Sequence, residues 1–77
     1  MNVVVYTMHD CGACNHAKEF LVRNGVKFTE RDVSEDPKAR QEVLAMGFHA
    51  VPVIKVDGES IAGFDPEKLK ELLGLRG

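Results

Sequence analysis

The sequence predicts an α/β fold in which a parallel βαβ unit is followed by a helix, a β-hairpin and a closing helix. Three observations carry that expectation. Val3-Val4-Val5-Tyr6-Thr7 is a β-branched, continuously apolar run, the pattern of a strand buried on both faces. Asp36-Pro37 and Asp65-Pro66 are helix starts, because aspartate caps free N–H groups and proline fits a first turn whose N–H has no partner anyway. Asp57-Gly58, set between two strand-like runs, is a hairpin signal in which both central positions favour positive φ.

The elements follow in order. Thr7 to Gly12 reads as a loop. From Cys14 onward, Ala17, Phe20 and Leu21 fall at helical spacing, and Asn24-Gly25 stops that helix. Val26 to Val33 reads as a second strand with an exposed, charged end, where Glu30, Arg31, Asp32, Glu35 and Asp36 form a solvated edge. Pro37 opens the second helix, with Ala39, Val43, Leu44 and Met46 as its apolar stripe and Gly47 as its end. Val51 to Val56 and Glu59 to Ala62 are the hairpin strands, and Gly63-Phe64 is a bend. Leu69, Leu72 and Leu73 form the apolar face of the last helix, which Gly74 closes. Helices and strands alternating in this order make a two- or three-layer sheet structure.

Composition narrows the function classes. At 77 residues, one domain over 1–77 is expected, since two would each lack a core. Hydrophobic residues at 44% and charged residues at 29% are globular values and argue against a disordered tail. A formal charge of -2 with no Lys/Arg cluster provides no footprint for nucleic acid. No apolar run approaches the ~18 residues of a membrane span, and Met1 to Tyr6 lacks the positive flank and cleavage site of a signal peptide. The expected location is the cytoplasm. Two cysteines there point to redox or metal chemistry rather than to a disulfide framework.

Those cysteines are Cys11 and Cys14, in Cys11-Gly12-Ala13-Cys14, between the first strand and the first helix. Cysteine reacts as its thiolate, and free N–H groups with a partial positive charge at a helix N-terminus stabilise that anion. Cys11 is expected at the cap, exposed and with a lowered pKa, and Cys14 one turn in and more shielded. Their spacing lets the sulfurs close a disulfide without moving the backbone. Dithiol–disulfide exchange is the expected chemistry, with Cys11 attacking and Cys14 resolving. A second reading is a metal module in which His9 and His16 join the two cysteines. Its ligands crowd into eight residues, and His16 points to a different helix face from Cys14, whereas structural zinc sites draw on separated ligand pairs. The expected metal ligand set is therefore none.

Pro52 opens a strand, where it cannot donate to the ladder. The residues alone favour an ordinary trans proline, because only about 5% of X–Pro bonds are cis. Taken together, Tyr6-Thr7, Cys11-x-x-Cys14, Ala50-Val51-Pro52-Val53-Ile54 and Ile61-Ala62-Gly63-Phe64-Asp65 resemble the glutaredoxin class of the thioredoxin fold over essentially the whole chain. Thr7, Asp10-Cys11, Lys18, Gly47-Phe48, and Gly63-Phe64 followed by Pro66 are most similar to its NrdH-redoxin subgroup. The resemblance implies a β-α-β-α-β-β-α chain with a four-stranded mixed sheet flanked by three helices. It implies a cis Val51–Pro52 bond facing Cys11, and a Val51 backbone that pairs with a partner's chain by strand addition. It also implies an electron carrier with no bound cofactor, whose partners are disulfide-containing proteins, ribonucleotide reductase among them.

Departures from the family pattern bear on the reductant. Glutathione-using members usually carry Cys-Pro-Tyr-Cys and basic residues before the first cysteine and near the cis-proline. Here Gly12-Ala13, Met8 and Phe48 stand instead. Each lost charge-assisted hydrogen bond weakens glutathione by about 1.5–3 kcal/mol. Thioredoxin reductase with NADPH is thereby favoured as electron source, with glutathione as the alternative. Ile61-Ala62-Gly63-Phe64 replaces the subgroup's usual Trp-Ser-Gly-Phe, which leaves the ribonucleotide reductase role resting on the other motifs.

Around the cysteines, His9, Asp10 and Lys18 are candidate pKa-tuning residues: a protonated His9 lowers the Cys11 pKa, Asp10 opposes it, and Lys18 lies one turn past Cys14. For each, a solvated surface position is the plainer alternative, as it is for His16. Met8, Phe48 and Phe64 are candidates for an apolar rim around Cys11, against core packing for the two phenylalanines. Val51, Pro52, Gly63, Phe64 and Asp65 are candidate partner-binding positions, with helix capping the simpler role for Asp65. The expected state is a monomer.

Overall fold

A computed structural model describes residues 1–75; residues 76–77, which the sequence places in the same domain, lie outside the described residues. The elements run β1 (Val3–Thr7), α1 (Gly12–Arg23), β2 (Thr29–Asp32), α2 (Pro37–Ala45), β3 (Val53–Val56), β4 (Glu59–Ala62) and α3 (Pro66–Leu73). The four strands form one mixed sheet in the order β2-β1-β3-β4. The β1–β2 pair is parallel, whereas β1–β3 and β3–β4 are antiparallel. This is the expected architecture, and β1 and β3 are its interior strands.

The alternation of side chains along β1 sorts the core into two layers. Val3 and Val5 join Ala17 and Leu21 of α1, Ile54 and Val56 of β3, and Leu69 and Leu73 of α3 on one face. On the other, Tyr6 joins Val53 of β3 and Ala39 and Val43 of α2. The antiparallel register puts Val5 opposite Ile54 and Tyr6 opposite Val53, so each pair shares a face. Leu21, Ile54 and Leu69 are fully buried, and each such side chain contributes about 1.5–3 kcal/mol of transfer free energy.

The helix boundaries obey local chemistry. The Asp36 side chain accepts from the N–H groups of Lys38 and Ala39, and the Asp65 side chain accepts from that of Lys68. At the end of α1, the Gly25 N–H donates to the Val22 carbonyl and the Val26 N–H to the Leu21 carbonyl, the two bonds of a Schellman closure. Gly25 supplies the left-handed residue this closure needs, at φ 67°.

That closure corrects the expected second strand. Val26 spends its N–H on the helix end, so β2 starts at Thr29 rather than Val26 and ends at Asp32. Val26 and Phe28 instead pack against the α1/α3 layer. β3 likewise starts at Val53, two residues after the expected Val51. In the hairpin turn only Asp57 has positive φ, at 53°, and Gly58 does not share it. Asp57 is instead tied to the chain start: its N–H donates to the Asn2 carbonyl, and its Oδ1 accepts from the Asn2 N–H. Leu44, expected in the α2 stripe, is 49% exposed, because α2 presents Ala39 and Val43 to the sheet.

The charged edge along β2 and the turn after it is solvated at Glu30 and Glu35, as expected, but Arg31 and Asp36 are also drawn into ion pairs. Arg31 Nη1 donates to both carboxylate oxygens of Glu42, at 2.6 and 2.7 Å, and Nη2 donates to Asp36 at 3.0 Å. The buried Tyr6 hydroxyl donates to the same Glu42 at 2.7 Å. Arg31 thus ties the edge strand β2 to both ends of α2. No helix among the described residues is long and apolar enough to cross a membrane.

Candidate active site

The end of β1 delivers a short loop, Met8-His9-Asp10, to the N-terminus of α1. Asp10 sits in the left-handed region at φ 57°, a conformation that aspartate tolerates better than most residues, and it turns the chain into the helix. Cys11 follows as N-cap, with extended backbone, and its Sγ accepts from the Cys14 N–H at 3.1 Å. The two sulfurs are paired as a disulfide across one turn, with their Cα atoms 5.2 Å apart. Cys14 is 1% exposed, whereas Cys11, expected to be exposed, is half-buried. The asymmetry is built in: Cys11 stands at the helix cap, and Cys14 lies one turn in, where it is buried.

Val51–Pro52 is a cis peptide bond, and Pro52 is fully buried. The Gly63 N–H donates to the Pro52 carbonyl at 2.7 Å, continuing the β3–β4 ladder by one step. Neither backbone polar group of Val51 is hydrogen-bonded within the chain among the described residues.

The structure divides the expected apolar rim in two. Met8, Phe48 and Val51 line one groove of about 490 Å³, together with Val33, Val43 and Leu44. Met8 is 49% exposed there. Phe64 lies on the other side of the sheet, edge-on to Phe20 at 5.8 Å and stacked on His16 at 6.4 Å. The split follows from the two core layers, since Phe48 packs with α2 and Phe64 with α1 and α3.

The two histidines also diverge. His9 is engaged by carboxylates, with its Nε2 at 2.8 Å from Glu35 and 3.1 Å from Asp32. The hydrogen bond to Glu35, then the Asp32 charge, raise its pKa. The ligand atoms of these three residues lie within 4.8 Å of one another. His16 rests against Phe64, so the alternative His9–Cys11–Cys14–His16 quartet is not assembled. Lys18 is engaged as well: its Nζ donates to Glu30 at 3.0 Å, and the buried Thr7 hydroxyl donates to the same carboxylate oxygen at 2.9 Å. The Lys18 bond, opposed by partial burial and aided by Thr7, lowers the Glu30 pKa.

Two basic residues that the sequence did not single out, Arg40 and His49, also line the groove. Arg40 is one turn before Val43 and Leu44 on the same face of α2. The available signal was that i, i+3, i+4 spacing, which gains meaning only once α2 is known to wall the groove.

Comparison with known proteins agrees with this geometry. A family model described as Glutaredoxin matches residues 3–61. The glutaredoxin-like protein NrdH of Lactococcus lactis subsp. cremoris is 36% identical over 70 residues, covering 91% of this chain and 97% of its own. Among solved structures, a point mutant of the thioredoxin-like protein BC3987 superposes with a TM-score of 0.94 at 39% identity, covering 97% of each chain. NrdH-redoxin from Escherichia coli gives 0.87 at 30% identity, covering 94% of this chain and 95% of that one; it is described as having a thioredoxin-like activity profile.

Proposed function

The chain belongs to the glutaredoxin family, and on that premise we propose that Cys11 is the attacking thiolate and Cys14 the resolving one in a dithiol–disulfide oxidoreductase of NrdH type. The observation that carries the assignment is the asymmetry of the pair. Cys11 caps α1 with its sulfur accepting a backbone N–H, whereas Cys14 is buried one turn in. A sulfur held by helix-end N–H groups is a stabilised thiolate and a good leaving group.

The Cys11 thiolate attacks one sulfur of a substrate disulfide. A Cys11–substrate bond forms, and the other substrate sulfur leaves as a thiolate. Cys14, deprotonated, then attacks Cys11 Sγ and releases the second substrate thiolate. Two electrons have passed to the substrate, and the Cys11–Cys14 disulfide remains. A reductase returns it to the dithiol with two electrons from NADPH. We assign that role to thioredoxin reductase, in keeping with the activity profile given for the E. coli relative. The guanidinium that lines the groove is Arg40 of α2, whereas Met8 and Phe48 stand at the positions where glutathione-using members carry basic residues.

The unpaired Val51 backbone supports strand addition by the partner chain, with Met8 and Phe48 lining the same groove. Pro52 and Gly63 hold that edge in place. Phe64 covers α1, and Asp65 caps α3, so their part in binding is to fix the neighbouring bend. Disulfide-containing proteins are the substrates, and ribonucleotide reductase is the candidate among them on the subgroup resemblance. We assign the protein to the cytoplasm, acting as a monomeric single domain.

Disulfide reduction with two electron sources in parallel tests this reading. Turnover with NADPH and thioredoxin reductase, and little with glutathione, glutathione reductase and NADPH, is the expected result; the opposite pattern overturns the reductant. Cys14→Ser should trap a mixed disulfide through Cys11. Trapping only by Cys11→Ser would reverse the order of attack.

A further inference from the structure

The groove beside Val51 carries a charge pattern as well as an apolar lining. Its walls include Met8, Val43, Leu44, Phe48 and Val51, and the charged or ionisable residues among those that line it are Arg40 and His49. Among the described residues no carboxylate lines it, although the chain has twelve acidic residues against ten basic ones and a formal charge of -2. The contrast with Arg31 is direct. Arg31 is consumed by Glu42 and Asp36, whereas Arg40 is exposed and makes no ion pair among the described residues. Arg40, Val43 and Leu44 repeat at i, i+3 and i+4, so one face of α2 presents a guanidinium and an apolar strip to the groove that Met8 also lines.

We propose that Arg40 selects the protein substrate: the groove takes an extended segment of the disulfide partner that carries an Asp or Glu side chain, separated from the reacting cysteine by apolar residues. This rests on the reading of Cys11 as the attacking thiolate and names the class of segment that reaches it. The apolar strip covers the intervening side chains, and the guanidinium receives the carboxylate in a charge-assisted pair. Glutathione fits this lining poorly. It has no large apolar side chain, so the strip of Met8, Leu44 and Phe48 would face polar groups left without partners. A charge at the rim of an interface also steers encounter, and it does so less as salt screens it.

The test uses three fluorescent peptides, identical except for Glu, Gln or Lys at one position three residues from the cysteine site. Serine replaces cysteine, so binding is read by anisotropy without the thiol chemistry, and a failure of the Cys11 assignment leaves the result intact. Wild type should bind the Glu peptide about three- to tenfold tighter than the Gln peptide, and the Lys peptide more weakly still. Arg40→Glu should invert the order. A gain in affinity for the Lys peptide cannot come from misfolding. Added salt should narrow the spread in both proteins. An order unchanged by Arg40→Glu, or Arg40-dependent competition by S-methylglutathione that matches the Glu peptide, overturns the proposal.

Discussion

At the scale of single residues, this site is made of side chains whose partners come from distant segments. Cys11 and Cys14 were legible because their spacing and their place before a helix are local. His9 was not: its carboxylates, Asp32 and Glu35, arrive from the end of β2 and the turn after it. Lys18 and Thr7 meet at Glu30 only because β1, β2 and α1 converge there. His9 yields a pH prediction. Glu35, and then Asp32, raise its folded pKa above the ordinary 6.5. The stability gained is therefore fully present below pH 6.5 and is lost as pH rises through the folded value. Thermal melts of wild type and His9→Gln between about pH 5 and pH 9 should differ most at the acid end and converge at the alkaline end. A constant difference would mean that His9 acts through packing alone.

At the scale of elements, type and order were legible because periodicity and capping are written in neighbouring residues. Both Asp-Pro starts, the β1 run and the β4 strand fall where the local chemistry puts them. The ends of β2 and β3 were not, because they depend on where an N–H is spent. Val26 looks like a strand residue, yet its N–H closes α1. Gly25→Ala places a Cβ in the left-handed conformation of that closure and should cost roughly 1–2 kcal/mol. Leu21→Ala, one turn earlier and fully buried between α1 and the sheet, should cost about 2–5 kcal/mol. Urea denaturation reads both; a Gly25→Ala loss as large as that of Leu21→Ala would mean that the closure organises more than the helix end.

At the scale of the whole molecule, two apolar layers and one ionic clasp hold the sheet. The radius of gyration, 11.5 Å, is close to the roughly 11.5 Å expected of a compact chain of this length. The exposed edge β2 carries Glu30, Arg31 and Asp32, which blunts it against pairing with another chain. The clasp sets the acid limb of stability. The Tyr6 hydroxyl, then Arg31, lower the Glu42 pKa, and Arg31 lowers that of Asp36. Their contribution is present above the ordinary carboxylate values of 4.5 and 3.8 and is lost as pH falls through the lowered folded values. Arg31→Met should flatten the stability profile between about pH 5 and pH 3 in thermal melts. An unchanged acid limb would assign acid unfolding to other carboxylates.

The same clasp has an optical consequence. Tyr6 is the only tyrosine, and the chain has no tryptophan. Its phenol donates to a carboxylate at 2.7 Å under the Arg31 guanidinium. Proton transfer toward such an acceptor in the excited state quenches phenol emission, so the folded protein should be dim in the tyrosine emission band and brighten as α2 lifts from the sheet. A single native fluorophore therefore reports the docking of the helix that walls the groove, with no label added.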